Sequence, residues 1–305
     1  MTPKTRRIAE SRARAAGNGR QLRWSVERRL AFIEQRLFWL GEVNRTDLVD
    51  RFGVSMSQAS VDIARYLALK PPDVAYDKSA KRYVAGERFK PVLAKPDASR
   101  FLGELRLVDF GILAVEETML GALPPFDATP FPERPVDPFV LRAVLRAIRG
   151  RHALDIAYQS MSRPEPMRRT IEPHALGHDG FRWHARAFDR ETGEFRDFVL
   201  GRLSKPKVGG EAGSTPEDDV DWRSSVDLVI APHPKLTPAQ SRAIAIDYGI
   251  RDGSATIPVR RALLFYALKR LGLDVSSEVR PPYEQHIVLL NRDEIQSYLT
   301  RRSET

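Results

Sequence analysis

The sequence predicts a multidomain α+β protein with a helical, basic N-terminal part, a central region of short antiparallel strands and a C-terminal α+β unit. Residues 1–85 carry 17 Lys and Arg against 9 Asp and Glu, whereas the other 220 residues carry 32 against 31. Apolar residues recur at helical spacing in the N-terminal part and at alternate positions from His152 onward. With 305 residues and 42% apolar content, the chain can bury more than one core.

The composition excludes several classes of protein. Because the chain contains no cysteine, disulfides, thiol catalysis and cysteine-ligated zinc are excluded. No apolar run approaches the roughly 20 residues that a membrane span needs, and no signal-peptide core follows the basic N-terminus. We therefore expect a cytoplasmic protein without membrane contact.

The positive charge at the N-terminus predicts a polyanionic partner. Residues 1–20 are rich in arginine and have no apolar face long enough to pack, so we expect a mobile arm or a frayed helix. This arm could lie along DNA phosphates or be a solvated tail, and both uses remain open. An amphipathic helix is predicted over residues 24–40.

Two short helices around a glycine are predicted between residues 44 and 69. Asn44 can cap the first of them, and Gly53 permits the sharp turn that ends it. Ser55 with Gln58 forms a capping box for the second helix, and a Pro-Pro pair ends it.

The second of these helices has the form of a recognition helix that reads base edges in the major groove. A basic hairpin follows, with strands at 74–76 and 82–84, and would act as a wing on phosphates. Together they predict a winged helix-turn-helix, although an ordinary helical hairpin with a solvated face is the alternative. The expected DNA-binding residues are Ser55, Ser57, Gln58, Ser60 and Arg65 on the helix and Lys78, Lys81 and Arg82 on the wing.

A proline-rich stretch precedes the central strands. Residues 89–135 contain a helix-like run at 98–107 and otherwise predict an extended connector. A helix is predicted at 137–149. After it the apolar residues recur at every second position, which predicts strands at 154–158, 170–176, 181–188 and 195–200. Such a series indicates a small, strongly bent sheet or barrel. Arg, His, Tyr and Ser on these strands could hold a phosphate or carboxylate, but a sheet with one solvated face shows the same alternation.

Four strings in this region resemble a WYL domain, the effector-sensing module of bacterial transcription regulators. They are IAYQS from Ile156, RTIEPHAL from Arg169, GFRWHARAFD from Gly180 and FRDFVLGR from Phe195. The name triplet reads Trp-His-Ala here, so His184 stands where the motif has tyrosine and ligand identity does not carry over. In layout the whole chain resembles the repressors attached to BREX and CBASS phage-defence operons.

The resemblance implies a winged helix-turn-helix, a central Sm-like β-barrel (WYL) domain and a C-terminal dimerisation extension. It also implies a homodimeric repressor that binds an inverted-repeat operator on double-stranded DNA and is released by a small nucleotide or oligonucleotide effector. Position in the matching strings gives the effector-binding residues as Tyr158, Ser160, His174, Arg182, His184, Arg186 and Arg202.

The C-terminal region predicts a compact α+β unit suited to dimerisation or pocket closure. A Gly-, Ser- and acid-rich loop is expected at 209–221, followed by strands at 225–231, 254–258 and 286–290 and helices at 238–248, 259–271 and 292–299. We therefore divide the chain into a basic head (1–88), a connector (89–135), the WYL domain (136–210) and a dimerisation extension (222–305).

Enzymatic functions find little support in the sequence. No Gly-rich phosphate loop, zinc-protease helix or nucleophile elbow occurs, and the six histidines lack clustered carboxylates. We expect no catalytic residue, metal or cofactor. Two alternatives to a regulator remain: a nuclease built on His174 and His184, and an Sm-like RNA- or nucleotide-binding module without a transcriptional role.

Overall fold

The computed structural model describes residues 25–130, 132 and 134–299, and the chain divides into two compact units, residues 1–131 and 132–305. The expectation for the arginine-rich arm therefore falls on residues outside the described part.

The first unit combines short helices with a three-stranded antiparallel sheet. In chain order its elements are α1 (25–39), β1 (Glu42–Val43), α2 (Arg45–Phe52), α3 (Met56–Leu67), β2 (Val74–Asp77), β3 (Arg82–Ala85) and α4 (Ala98–Asp109). The strands pair in the order β1–β3–β2. Two helices around a tight turn, followed by a hairpin, confirm the predicted winged helix-turn-helix.

The turn between α2 and α3 is set by local hydrogen bonds. The side-chain oxygen of Asn44 accepts from the backbone N of Asp47 at 2.9 Å, and the Asp47 carboxylate accepts from the N of Asn44 at 2.7 Å. Gly53 ends α2 at a φ of +62°, where a side chain would be strained. Ser55 caps α3 by accepting from the N of Gln58 at 3.1 Å.

One apolar core joins α1, α2 and α3, and Ile33, Leu48 and Ile63 at its centre are at most 1% exposed. Helix α4 packs beside α1, because the rings of Trp39 and Phe101 stack with centroids 5.1 Å apart. Such a stacked pair contributes about 1 kcal/mol beyond the area it buries. The helix expected within the connector thus lies against the basic head.

The second unit contains a five-stranded and a three-stranded antiparallel sheet. Its elements are α5 (Pro138–Gly150), β4 (His152–Tyr158), β5 (Met167–His178), β6 (Trp183–Asp189), β7 (Glu194–Val199), β8 (Leu203–Glu211), α6 (Val220–Arg223), β9 (Ser225–Pro232), α7 (Pro238–Asp247), β10 (Ala255–Arg260), α8 (Leu264–Arg270), β11 (Ile287–Leu289) and α9 (Arg292–Leu299). The strand orders are β7–β6–β5–β4–β8 and β10–β9–β11.

The five-stranded sheet packs on the apolar face of α5, where Val144 and Leu154 are fully buried. Register shifts in the β4–β8 and β5–β6 pairs mark bulges, which increase the twist and bend of strands. A 3-10 turn, Leu200–Arg202, leads from edge strand β7 directly into the opposite edge strand β8. The chain itself therefore connects the two edge strands, but no pairing of β7 with β8 closes the sheet into the predicted Sm-like barrel in the described part of the chain.

Three details differ from the sequence prediction. Residues 209–211, expected to begin a loop, belong to β8, the fifth strand. Two adjacent glycines and the bulges interrupt its alternation, so the period-two signal was too weak to predict it. A short helix, α6, stands where the same loop was expected. The helix predicted from residue 259 begins at Leu264, because β10 continues to Arg260 and a 3-10 turn follows.

Candidate DNA-binding surface and effector pocket

Helix α3 is held against α1 by a buried ion pair. Nε of Arg29 donates to Oδ2 of Asp62 at 2.6 Å, and the Asp62 side chain is fully buried. Removing one partner of such a pair leaves an uncompensated charge and costs about 3–5 kcal/mol. The same carboxylate accepts a hydrogen bond from Nε2 of Gln58 at 3.1 Å. Asp62 therefore fixes the rotation of α3 about its own axis and the orientation of the Gln58 side chain.

A second buried carboxylate, Glu34 of α1, joins α3 to the chain that leaves the wing. It accepts from the Tyr66 hydroxyl at 3.1 Å and from the backbone N–H groups of residues 92–94 at 2.5 to 3.1 Å. Burial and the Glu34 charge raise the pKa of Tyr66 far above its usual range, so its hydroxyl remains a donor. Nothing in the sequence pattern indicated these contacts, because the partners lie far apart along the chain.

The outer face of α3 presents Ser57, Val61 and Arg65, which are spaced four residues apart and exposed. Nη1 of Arg65 lies 3.7 Å from Oδ1 of Asp62, and the Arg65 side chain is 55% exposed. Of the predicted DNA-binding residues on the helix, Ser57 and Arg65 thus lie on its exposed face, and their contact with base edges stays a prediction.

Three other predicted DNA-binding residues are engaged within the helix. Ser55 is its N-cap, and Gln58 donates to Asp62. The hydroxyl of Ser60 donates to the carbonyl oxygen of Met56 at 2.9 Å. For these residues to contact DNA, each would have to share or exchange its present partner.

The β2–β3 hairpin forms the wing. A side-chain oxygen of Asp77 accepts from two backbone N–H groups in the turn at 2.9 and 3.0 Å. This leaves Lys78 and Lys81 exposed at the tip. Arg82 instead forms an ion pair with Glu42 of β1 at 2.5 Å, so its charge already has a partner.

In the second unit, two predicted effector residues converge on the carboxylate of Asp219. Nε and Nη2 of Arg186 donate to its two oxygens at 2.7 and 3.0 Å, and Nε2 of His174 lies 2.9 Å from Oδ2. Nη1 of Arg186 also contacts Asp197 at 3.2 Å. Burial would raise the pKa of Asp219, but the bonds from His174 and Arg186 outweigh burial and hold it well below its usual range. The carboxylate of Asp219 is thus an internal partner of both Arg186 and His174.

A second cluster surrounds Asp179. Its Oδ2 lies 2.9 Å from Nε2 of His184 and 3.2 Å from Nε of Arg182. The Tyr266 ring lies 5.1 Å from the His184 ring, and its hydroxyl donates to Asp197 at 3.2 Å, which links the two clusters. Nδ1 of His184 is buried and has no hydrogen-bond partner in the described part of the chain.

The remaining predicted effector residues make separate contacts near the end of β4. The Tyr158 hydroxyl accepts from the backbone N of Val199 at 3.3 Å. Ser160 bonds to a neighbouring serine hydroxyl at 3.3 Å, and Nη2 of Arg202 lies 3.2 Å from the sulfur of Met161. The seven predicted residues therefore divide into four around the two carboxylates and three at this strand end.

A cavity of about 730 Å³ opens beside the Asp219 cluster. Its walls include Arg186, Asp197 and Asp219 together with the aromatic rings of Phe265 and Tyr266. Sequence reasoning missed these carboxylates and Tyr266, because only the fold brings them to the strands. Within the described ranges, no group of three or more His, Asp or Glu side chains could hold a metal, and no helix has the length and hydropathy of a membrane span.

Three family profiles match the chain. Residues 25–107 match the BrxR transcriptional regulator winged helix-turn-helix domain, 140–208 match the WYL domain, and 225–295 match the BrxR transcriptional regulator C-terminal dimerization domain.

Known proteins are similar over nearly the whole chain. The DNA-binding transcriptional repressor CapW of Stenotrophomonas maltophilia is 39% identical over 280 residues, covering 92% of this chain and 94% of that protein. CapW of Pseudomonas aeruginosa is 39% identical over 282 residues with the same coverage of both chains. The solved structure of proteasome accessory factor B/C of Arthrobacter aurescens aligns at 17% identity and a TM-score of 0.25, covering 90% of this chain and 48% of that one.

Glu172 of β5 ties the segment after β8 to the sheet. It accepts from the N of Ser214 and from Nε of Arg190, both at 2.6 Å. Burial would raise the pKa of Glu172, but these bonds and one from the N of Gly213 lower it from 4.5 to about 2. Because the folded pKa lies below the unfolded one, the bonds stabilise the protein above pH 4.5, and this stability is lost as the pH falls toward 2.

We predict that Glu172→Gln lowers the free energy of unfolding by about 3 kcal/mol near pH 6. The difference from the unmodified protein should shrink as the pH falls below 4.5, which urea denaturation at a series of pH values measures. Glu165→Gln, at an exposed position, is the control and should change little at any pH. A difference that stays constant down to pH 3 would contradict the assignment.

Proposed function

Because this chain belongs to the CapW family of DNA-binding transcriptional repressors, we propose that it represses a phage-defence operon as a homodimer on an inverted-repeat operator. The observation that carries the proposal is the placement of α3. Buried ion pairing holds its inner side, and Ser57, Val61 and Arg65 face outward. The wing beside it carries two exposed lysines for phosphates.

The match of residues 225–295 to a dimerization domain supports the two-fold arrangement. A two-fold dimer presents two copies of α3 to half-sites separated by one helical turn of DNA, about 34–36 Å, or a multiple of it. An inverted repeat is the DNA sequence that matches this symmetry. The Sm-like module without a transcriptional role is disfavoured, since residues 25–107 match a winged helix-turn-helix domain of transcriptional regulators.

We place the effector at the Asp219 cluster, where Arg186 and His174 now hold a carboxylate. An anionic effector, such as a nucleotide phosphate, offers these two side chains the same kind of acceptor oxygen and competes with Asp219. Asp219 also caps α6 through the N of Trp222 at 3.0 Å, so its displacement frees that short helix. Release of the operator requires the effector to bind one dimer geometry more tightly than the other.

Arg65→Ala should relax the sequence preference of the repressor. A side chain that reads a base edge contributes about 1–3 kcal/mol of discrimination, or roughly 5- to 150-fold, at one position of each half-site. Footprinting on the DNA upstream of its gene defines the operator, and gel shifts with single base-pair changes measure the preference. The control is Arg242→Ala, which removes one exposed charge from α7. An unaltered preference in the Arg65 variant contradicts the assignment.

The positive charge of the wing should contribute to DNA affinity without any preference for sequence. Lys78→Gln together with Lys81→Gln should weaken binding to operator and unrelated duplex alike. The slope of log K against log salt should fall by about 2, since each phosphate contact contributes close to 0.9. Fluorescence anisotropy at a series of salt concentrations measures the slope. Lys235→Gln with Lys269→Gln, an exposed pair in the second unit, serves as the matched control.

Effector release should depend on Asp219 and Arg186 in opposite ways. Asp219→Asn removes the competing charge, so about 10- to 100-fold less effector should release the operator. Arg186→Ala should bind the operator normally and resist release. Gel shifts titrated with short oligonucleotides and cyclic nucleotides test both. Loss of operator binding by a folded Arg186→Ala protein without effector would show that the pocket is misplaced.

A further inference from the structure

The face of α3 that points away from the core carries apolar side chains as well as polar ones. Ala59, Ile63 and Tyr66 form the buried side of this helix, and Val61 lies on the opposite side, where it is 42% exposed. Ala64, three residues further along the helix, is exposed as well. Single exposed apolar residues are common on protein surfaces and need no explanation by themselves. What distinguishes Val61 is its place on the helix.

Val61 stands midway between two exposed side chains that can hydrogen-bond to base edges. Ser57 lies four residues before it and Arg65 four residues after it, and residues at that spacing share one face of a helix. Nearby polar side chains have partners within the protein, since Gln58 donates to a carboxylate and Ser60 to a backbone carbonyl oxygen. The middle of the exposed face therefore offers a base edge methyl groups rather than donors or acceptors.

The small size of these side chains lets α3 approach the bases closely. The major groove is about 12 Å wide, and a helix with its side chains measures about 10–12 Å across. Val61 and Ala64 project little from the helix, so its backbone can lie near the base edges at this point. A valine pressed against a donor or acceptor of a base would leave that group without a hydrogen bond, which is unfavourable. The base that faces Val61 should therefore present an apolar group.

We propose that Val61 reads the C5 methyl group of a thymine in each half-site of the operator, an inference that rests on the proposed repressor function. Among the four bases, thymine alone presents a methyl group in the major groove. Contact between this methyl and the Val61 side chain removes apolar surface of both from water and covers no donor or acceptor. Val61 thus adds a preference for thymine to the hydrogen bonds that Ser57 and Arg65 can make.

Helix geometry locates the thymine relative to the base that faces Arg65. An α-helix rises about 1.5 Å per residue, so Val61 and Arg65 are about 6 Å apart along α3. Successive bases of one DNA strand are about 3.4 Å apart along the duplex axis. A helix that lies along the groove therefore places the thymine about two base pairs from the position at which Arg65→Ala relaxes the sequence preference.

Replacing thymine with deoxyuridine tests the contact, because it removes the methyl group and leaves base pairing unchanged. In the footprinted operator, each thymine of one half-site is replaced in turn together with its symmetry mate, and gel shifts measure the affinity. Burial of one methyl corresponds to a factor of about 4, so replacing the two thymines that face Val61 should weaken binding of the dimer about 15-fold. An operator in which no such replacement weakens binding would overturn the proposal.

Two valine variants assign the effect to its residue. Val61→Ala places a good helix former at an exposed position, so the fold should be retained. This variant should lose most of the difference between the thymine and deoxyuridine operators. Val208→Ala, which shortens a valine of similar exposure on β8, is the matched control and should keep the full difference.

A purely structural role of Val61 gives a different result, because Val61→Ala would then weaken binding to both operators by the same factor. Either that result or an undiminished deoxyuridine effect in the variant would overturn the assignment to Val61. The same data separate this inference from the proposed function. A clear footprint on DNA that is insensitive to deoxyuridine removes the thymine contact and leaves the repressor proposal standing. If no upstream duplex is protected, the repressor proposal fails and the thymine contact fails with it.

Discussion

Two buried carboxylates determine where the recognition helix lies. An amphipathic helix can rotate about its axis on an apolar core at little cost in free energy. The Arg29–Asp62 ion pair holds α3 in one of these orientations. The Glu34 carboxylate also holds α3, because it accepts hydrogen bonds from the Tyr66 hydroxyl and from three backbone N–H groups of residues 92–94. The outward direction of Ser57 and Arg65 follows from these contacts. Movement of residues 92–94 would disturb the carboxylate that also holds α3.

The WYL domain contains buried carboxylates with similar contacts. Residues after 85 are almost charge-balanced, and several of their charged side chains lie in buried contacts: Arg186 and His174 contact Asp219, and His184 contacts Asp179. Within the described ranges, Lys78 and Lys81 on the wing are examples of exposed cations that no ion pair joins to another residue. Net charge predicted a polyanionic partner, and the pattern of ion pairs shows which cations already have an acidic neighbour.

Local rules predicted most of the fold. Caps at Asn44 and Ser55, the turn at Gly53 and the alternation from His152 each act over a few residues, and the structure has helices and strands where they indicated. The prediction was wrong where local signals were weak, as in β8, whose glycines and bulges interrupt the alternation. Chain order and the four strings were enough to identify a WYL-containing regulator.

The sequence alone determined the order of domains, the basic head and the residue types able to bind phosphate. Only the tertiary structure decided which of those residues already have an ionic partner. It pairs Arg82 with Glu42 and encloses Arg186 between two carboxylates, while it leaves Lys205 and Lys207 without an ionic partner among the described residues. The physical reason is distance along the chain. Capping and periodicity join near neighbours, whereas these ion pairs join residues on different elements, and only the folded chain brings such elements together.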